Sequence, residues 1–129
     1  MGRSEVEIDV DRPADAVWQV LRDFGGLARW MPGIDACTVD GDTRTLSVLG
    51  TEIVERHLGT DDVQRRTRYS IVGGGVPVTR HEATVSVEER GPDACHVTWA
   101  FEVEPDTLVP VLAQSYQAAL QALASGAGS

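Results

Sequence analysis

The sequence predicts an α+β fold: a curved antiparallel sheet of seven strands wrapped on a long C-terminal helix. Three observations point there. Between residues 34 and 104, β-branched stretches alternate with turn signals about every ten residues. The last segment carries Leu108, Leu112, Tyr116, Leu120 and Leu123 at helical spacing. The chain has 129 residues, 42% of them hydrophobic, which suits one core and leaves no room for a second. Residues 1–129 are accordingly expected to form a single domain, without linker or internal repeat.

The elements follow in order. Residues 5–10 alternate, with Val6, Ile8 and Val10 on one face, as a half-buried strand does. Asp11 offers a cap and Pro13 suits a first helical turn, so 12–24 reads as an amphipathic helix carrying Val17, Val20, Leu21 and Phe24, ended by Gly25-Gly26. Residues 27–31 read as a second short helix, stopped by Pro32-Gly33. Six strands are then expected at about 34–40, 44–49, 51–59, 63–72, 77–90 and 95–104. Asp106 is placed to cap the final helix, and the Gly/Ser-rich residues 125–129 are expected to fray. A sheet this long needs its apolar face covered, and only the C-terminal helix is long enough to do it.

Eleven basic against twenty acidic residues give a net charge of −9. That balance argues against nucleic acid and anionic membrane as partners. No apolar run approaches the roughly 20 residues of a membrane helix. MGRSEVEIDV shows neither a signal-peptide h-region nor a myristoylation pattern, so a cytoplasmic location is expected. Cys37 and Cys95 make no framework, and with His57, His81 and His96 scattered no metal site is expected.

Side chains alternate along strands, so parity assigns faces. In 95–104 the odd positions are apolar, placing Trp99 and Phe101 inside. In 77–90 Ala83, Val85 and Val87 face in, and His81 goes with them. In 63–72 Tyr69 and Ile71 face in. In 51–59 parity alone leaves two sets open: Ile53, Glu55 and His57, or Val54, Arg56 and Leu58. Taking the two hairpins as centred near residues 62 and 75 puts Glu55 opposite Tyr69 and Tyr69 opposite His81, a polar row across three strands.

The stretches WQVLRDFGGLARWMPGI, GTEIVERHLGTDD, RYSIVGGGVPVTRHEATVSV and VTWAFEVEP resemble the polyketide cyclase/dehydrase family of the START-like, helix-grip (SRPBCC) superfamily, over nearly the whole chain. The stretch from VER to VTRHEA also resembles the plant abscisic-acid receptors. The resemblance implies the helix-grip fold and resolves the open parity, since Glu55 matches a glutamate facing the ligand cavity. Tyr69 matches a cavity aromatic, His81 a cavity tyrosine, and Ala83 a cavity serine. Asp35 falls where the receptors carry a ligand-binding lysine, which reverses the charge there. On the last helix the resemblance favours Val111, Ser115 and Ala119 as lining.

A carboxylate, a phenol and an imidazole converging in an apolar cavity suit proton transfer. The expected activity is therefore that of a cofactor-independent cyclase or dehydratase acting on a polyketide-like or other carbonyl-rich hydrophobic molecule. Glu55 would be the base, His81 the acid or partner base, Tyr69 a donor to a carbonyl and Asp35 a second acid. Trp30, Ile53, Ile71, Ala83, Trp99, Phe101, Val111, Ser115 and Ala119 would contact substrate. The plainer account is that Glu55 and His81 satisfy each other, Tyr69 and the tryptophans fill the core, and Asp35 caps a turn. On that account the protein is a carrier or sensor for a hydrophobic small molecule. A monomer or homodimer is expected in either case.

Overall fold

The computed structural model describes residues 2–128. Seven strands form one antiparallel sheet in the order β1-β7-β6-β5-β4-β3-β2. They are β1 (Gly2–Val10), β2 (Ile34–Asp40), β3 (Thr43–Val48), β4 (Thr51–Asp61), β5 (Arg66–Gly74), β6 (Arg80–Glu89) and β7 (Cys95–Glu104). The first and last strands of the prediction are neighbours, with Val6 opposite Trp99 and Ile8 opposite Val97. The chain between β1 and β2 holds helix α1 (Ala14–Leu21) and a single 3-10 turn at Leu27–Arg29, where the sequence suggests a second helix. Helix α2 (Val109–Ala124) follows a second 3-10 turn at Asp106–Leu108 and lies over β1 and β7.

The predicted helix over 12–24 is shorter at both ends. Neither Asp11 nor Asp106 caps a helix through its side chain. α1 begins after Pro13, whose carbonyl accepts from the Val17 N–H at 3.2 Å. Val17 and Trp18 bury the inward stripe of α1, and the Trp18 Nε1–H donates to Asp62 at 2.9 Å, tying the helix to the β4–β5 turn. On α2, Tyr116, Ala119, Leu120 and Leu123 are buried. Leu120 and Leu123 are fully enclosed, each worth about 1.5–3 kcal/mol on transfer from water. Residues 125–128 make turns, with Ala127 against the core. Ser129 lies outside the described residues.

Three backbone features shape the sheet. β3 and β4 are joined by Leu49-Gly50, both in the left-handed region (φ 49° and 84°), the geometry of a tight primed hairpin turn. At Gly74, also left-handed, a Cβ would stand 2.3 Å from the Glu52 carbonyl oxygen, so only glycine lets β5 lie this close to β4. β4 carries register shifts at Val54/Glu55 and His57/Gly59. The hairpin pairing also differs from that expected, because both turns are centred later in the chain: Asp61 pairs with Arg66 across the first and Arg66 with Ser86 across the second, so Glu55 lies opposite Ile71, not Tyr69, and His57 lies opposite Tyr69. In the next pair Tyr69 lies opposite Ala83, not His81. Each displacement amounts to two residues, so the inward faces survive even though the row does not.

Candidate functional site

Glu55, Tyr69 and His81 all point to the inner face and are buried, with relative exposures of 5%, 5% and 3%. They do not form one row. The regular β5–β6 ladder ends at Tyr69 and Ala83, and beyond it a side chain takes over. The Ile71 N–H donates to His81 Nδ1 at 3.0 Å. That leaves the ring proton of a neutral imidazole on Nε2, 3.0 Å from the Tyr116 hydroxyl of α2, which accepts it. Burial pushes the imidazole pKa down to about 4, so the ring is neutral at pH 7.

Tyr116 is the inward side chain of α2. Its ring stacks on Trp99 at 4.3 Å and meets Phe101 edge-on at 5.2 Å. The Trp99 Nε1–H donates to the Tyr69 hydroxyl at 3.2 Å. Burial raises both phenol pKa values above their ordinary range, so both remain proton-bearing.

Glu55 finds its partner on β3. Arg44 is 7% exposed; its Nε–H donates to Glu55 Oε1 at 2.8 Å, and Nη2 lies 2.7 Å from the same oxygen. Nη1 donates to the Phe24 carbonyl at 2.9 Å, and the guanidinium lies over the Phe24 and Tyr69 rings at 4.3 and 5.1 Å. Glu55 Oε2 has no protein donor among the described residues. Burial raises the Glu55 carboxyl above the usual carboxylate range, against the pull of Arg44. Sequence reasoning passed over Arg44, yet a signal exists: Arg44, Leu46 and Val48 share one parity on β3, and the last two are apolar.

Two small interior cavities flank this ion pair. One, of about 70 Å³, lies between α2 and the β3–β5 face, with Glu55, Arg44, Tyr69, Ser115 and Tyr116 among otherwise mostly apolar walls. The other, of about 30 Å³, is lined by Phe24, Trp30 and Val85 and shares Leu27, Arg44, Tyr69 and Trp99 with the first. Sites for drug-sized ligands run from about 300 Å³.

The expected contact residues divide accordingly. Ile53, Ile71, Trp99 and Ser115 line the larger cavity, and Trp30 lines the smaller with its buried Nε1–H unpartnered. Ala83, Phe101 and Ala119 are core and line neither interior cavity. Three expectations are corrected. Val111 is 57% exposed, because α2 turns Leu112, Ser115 and Tyr116 toward the sheet instead. Asp35 is exposed, because the irregularity between Ile34 and Ala36 buries Ile34 and turns its neighbour out. His81 lines neither cavity, being closed off by Ile71 and Tyr116. Tyr116 joins the site, where the resemblance had favoured its neighbours.

Among the described residues, no group of three His, Cys, Asp or Glu is placed to hold a metal, and both cysteines are free. No described helix is long and apolar enough to cross a membrane.

Comparison with solved structures finds XoxI from Bacillus cereus, with 25% identity and a TM-score of 0.91 over 97% of this chain and 94% of that one. The di-domain ARO/CYC BexL from the BE-7585A biosynthetic pathway shares 18% identity, with a TM-score of 0.81 over 97% of this chain and 46% of its own. A START superfamily protein from Mycobacterium smegmatis shares 17%, with a TM-score of 0.75 over 97% and 93%. The last two likenesses are of fold alone, and that fold is the START-like helix-grip. No curated protein matches the chain. Over residues 1–128 the sequence matches the family described as polyketide cyclase / dehydrase and lipid transport, and the chain belongs to that family.

Proposed function

We propose that this chain binds a largely apolar small molecule between α2 and the sheet, with Arg44, Glu55, Tyr69 and Ser115 meeting its polar end. The observation that carries this reading is the cavity itself: mostly apolar walls around a buried ion pair, beneath the first turns of α2. At about 70 Å³ it holds roughly two waters, so uptake expands it. The wall that gives way is the loosely held one. Met31, Val48 and Leu112 are only half-buried and Pro32 and Ser115 are exposed, whereas Tyr69, Ile71 and Trp99 are fixed in the core.

A second reading, acid–base cyclase or dehydratase chemistry, has one specific observation in its favour. Glu55 carries an oxygen without a protein donor among the described residues, and proton-bearing Tyr69 and Tyr116 face the same cavity. Glu55 would take an α-proton and a phenol would donate to the forming alkoxide. His81, outside the cavity, is then a positioning residue for Tyr116 and not the acid.

The test is incubation of the purified protein, and of Glu55→Gln and Tyr69→Phe, with an extract of small molecules, followed by mass spectrometry of bound and free fractions. A compound retained unchanged on the wild type supports binding. A compound consumed and replaced by the wild type, often with loss of water, supports the enzyme. Neither retention nor consumption would sink both readings.

A further inference from the structure

We infer that the polar end of the ligand is a neutral hydrogen-bond donor, an alcohol, phenol or enol hydroxyl, and that the site discriminates against carboxylates. The inference rests on the binding reading above and concerns the same cavity. Its basis is the charge arrangement around Glu55. Among the described residues Arg44 is the only cation lining the larger cavity, and its charge is already matched, with Nε and Nη2 both on Glu55 Oε1. Its Nη1 is held by the Phe24 carbonyl. A ligand carboxylate entering here would bring a second anion to a guanidinium with one counter-ion, beside Glu55, in an environment where screening is weak.

An ammonium is no better served. It would approach Arg44 and would have to share a carboxylate already in use. What the cavity does leave open is an acceptor. Glu55 Oε2 has no protein donor among the described residues, on a side chain only 6% exposed. Of the other polar groups at the wall, Tyr69 accepts from Trp99 and Tyr116 accepts from His81, each keeping a phenol O–H that a ligand hydroxyl oxygen can accept, and Ser115 is exposed. An acceptor open to the cavity and without a protein donor selects for a ligand that brings a donor, and a neutral O–H does so without adding charge.

The experiment is a titration of the 15N-labelled protein at pH 7 with three probes of one shape: 4-methylphenol, 4-methylbenzoate and toluene. Dissociation constants are read from the amide shifts of Ile53, Trp99 and Leu112. The wild type is expected to bind 4-methylphenol at least tenfold more tightly than either of the others. In Glu55→Gln, Arg44 loses its counter-ion, so 4-methylbenzoate should gain at least tenfold and overtake 4-methylphenol. A loss of packing alone would weaken all three probes together and would not invert their order. Wild-type protein that binds 4-methylbenzoate as tightly as 4-methylphenol would overturn the inference while leaving the binding reading intact. If no probe shifts the cavity amides up to its solubility limit, the binding reading falls and the inference with it. Should Glu55→Gln fail to fold, the double variant Arg44→Met/Glu55→Leu replaces the pair by apolar groups. There the advantage of 4-methylphenol over toluene should vanish, and its persistence would also overturn the inference.

Discussion

Removing Arg44 strands a carboxylate in the interior. In Arg44→Met the long apolar stem is kept and the charge is lost, so Glu55 stays 5% exposed with no counter-ion and the Phe24 carbonyl loses its donor. Breaking a buried pair from one side costs about 3–5 kcal/mol. For a chain of 129 residues the unfolding entropy is roughly 0.27 kcal/mol per kelvin, so Tm should fall by about 11–18 °C. The loss depends on pH in a determined direction. Burial already holds the Glu55 carboxyl above its ordinary 4.5, and without Arg44 desolvation acts alone. A carboxyl whose folded pKa is raised is better protonated in the folded state, so the penalty is full above the folded pKa and shrinks as pH falls toward 4.5. Urea unfolding followed by the fluorescence of the buried Trp18, Trp30 and Trp99, at pH 8 and pH 5, measures both quantities. A variant within about 1 kcal/mol of the wild type at pH 8, with no narrowing at pH 5, would refute the claim that Arg44 and Glu55 are a desolvated pair. Arg44→Met/Glu55→Leu should recover most of the loss, since an apolar pair leaves no charge stranded.

Other outcomes follow from the same geometry. His81 has its folded pKa at about 4 against an ordinary 6.5, so the unfolded chain takes the proton first. The stability advantage of wild type over His81→Gln is full above pH 6.5 and should shrink by up to about 3 kcal/mol as pH falls to 4; a constant difference across that window would contradict a buried neutral ring. Leu49 is 83% exposed in a left-handed conformation that asparagine tolerates better. Leu49→Asn should raise Tm by about 2–4 °C for a gain of about 0.5–1 kcal/mol, read by calorimetry, and a lowered Tm would show that the leucine makes a needed contact. Asp35→Asn and Val111→Asp lie outside the cavity and should leave the dissociation constant of 4-methylphenol within twofold of wild type; a tenfold change in either would return that residue to the site.

Much of the fold was legible because its signals are local. Alternation in β6 and β7 is uninterrupted, the turns carry Gly, Asp and Pro, and the α2 stripe repeats at helical spacing, so strand number and the inward faces of β5, β6 and β7 could be read directly, while the face of β4 needed the family resemblance. Register was not legible. Alternation says which face a residue takes but not where a turn is centred; both turns lie later in the chain than their Gly and Asp signals suggest, and pairing shifted by two while the faces held. That is why Glu55, Tyr69 and His81 were rightly placed inside and wrongly paired across the strands, although the Tyr69 and His81 rings still lie 5.5 Å apart. Arg44 was missed for a different reason: a charge at the start of a strand, next to a turn, looks solvated until the parity of Leu46 and Val48 is applied to it. On α2 the polar partner of His81 was already in the predicted stripe as Tyr116, and the resemblance drew attention to the adjacent face of the helix.

The imidazole that stands in for a missing rung of the sheet has a consequence for how the molecule reports on itself. Most amides in the centre of a sheet are held by the next strand and exchange with solvent only when the strands part. The Ile71 amide is held by the His81 side chain, and that side chain is held in turn by Tyr116 of α2. If the uptake proposed above lifts the helix, Tyr116 would withdraw, the ring would be free to turn, and the Ile71 proton would be released while its neighbours stayed protected. One deuterium-sensitive proton in the middle of the sheet would then clock the opening of the helix above it.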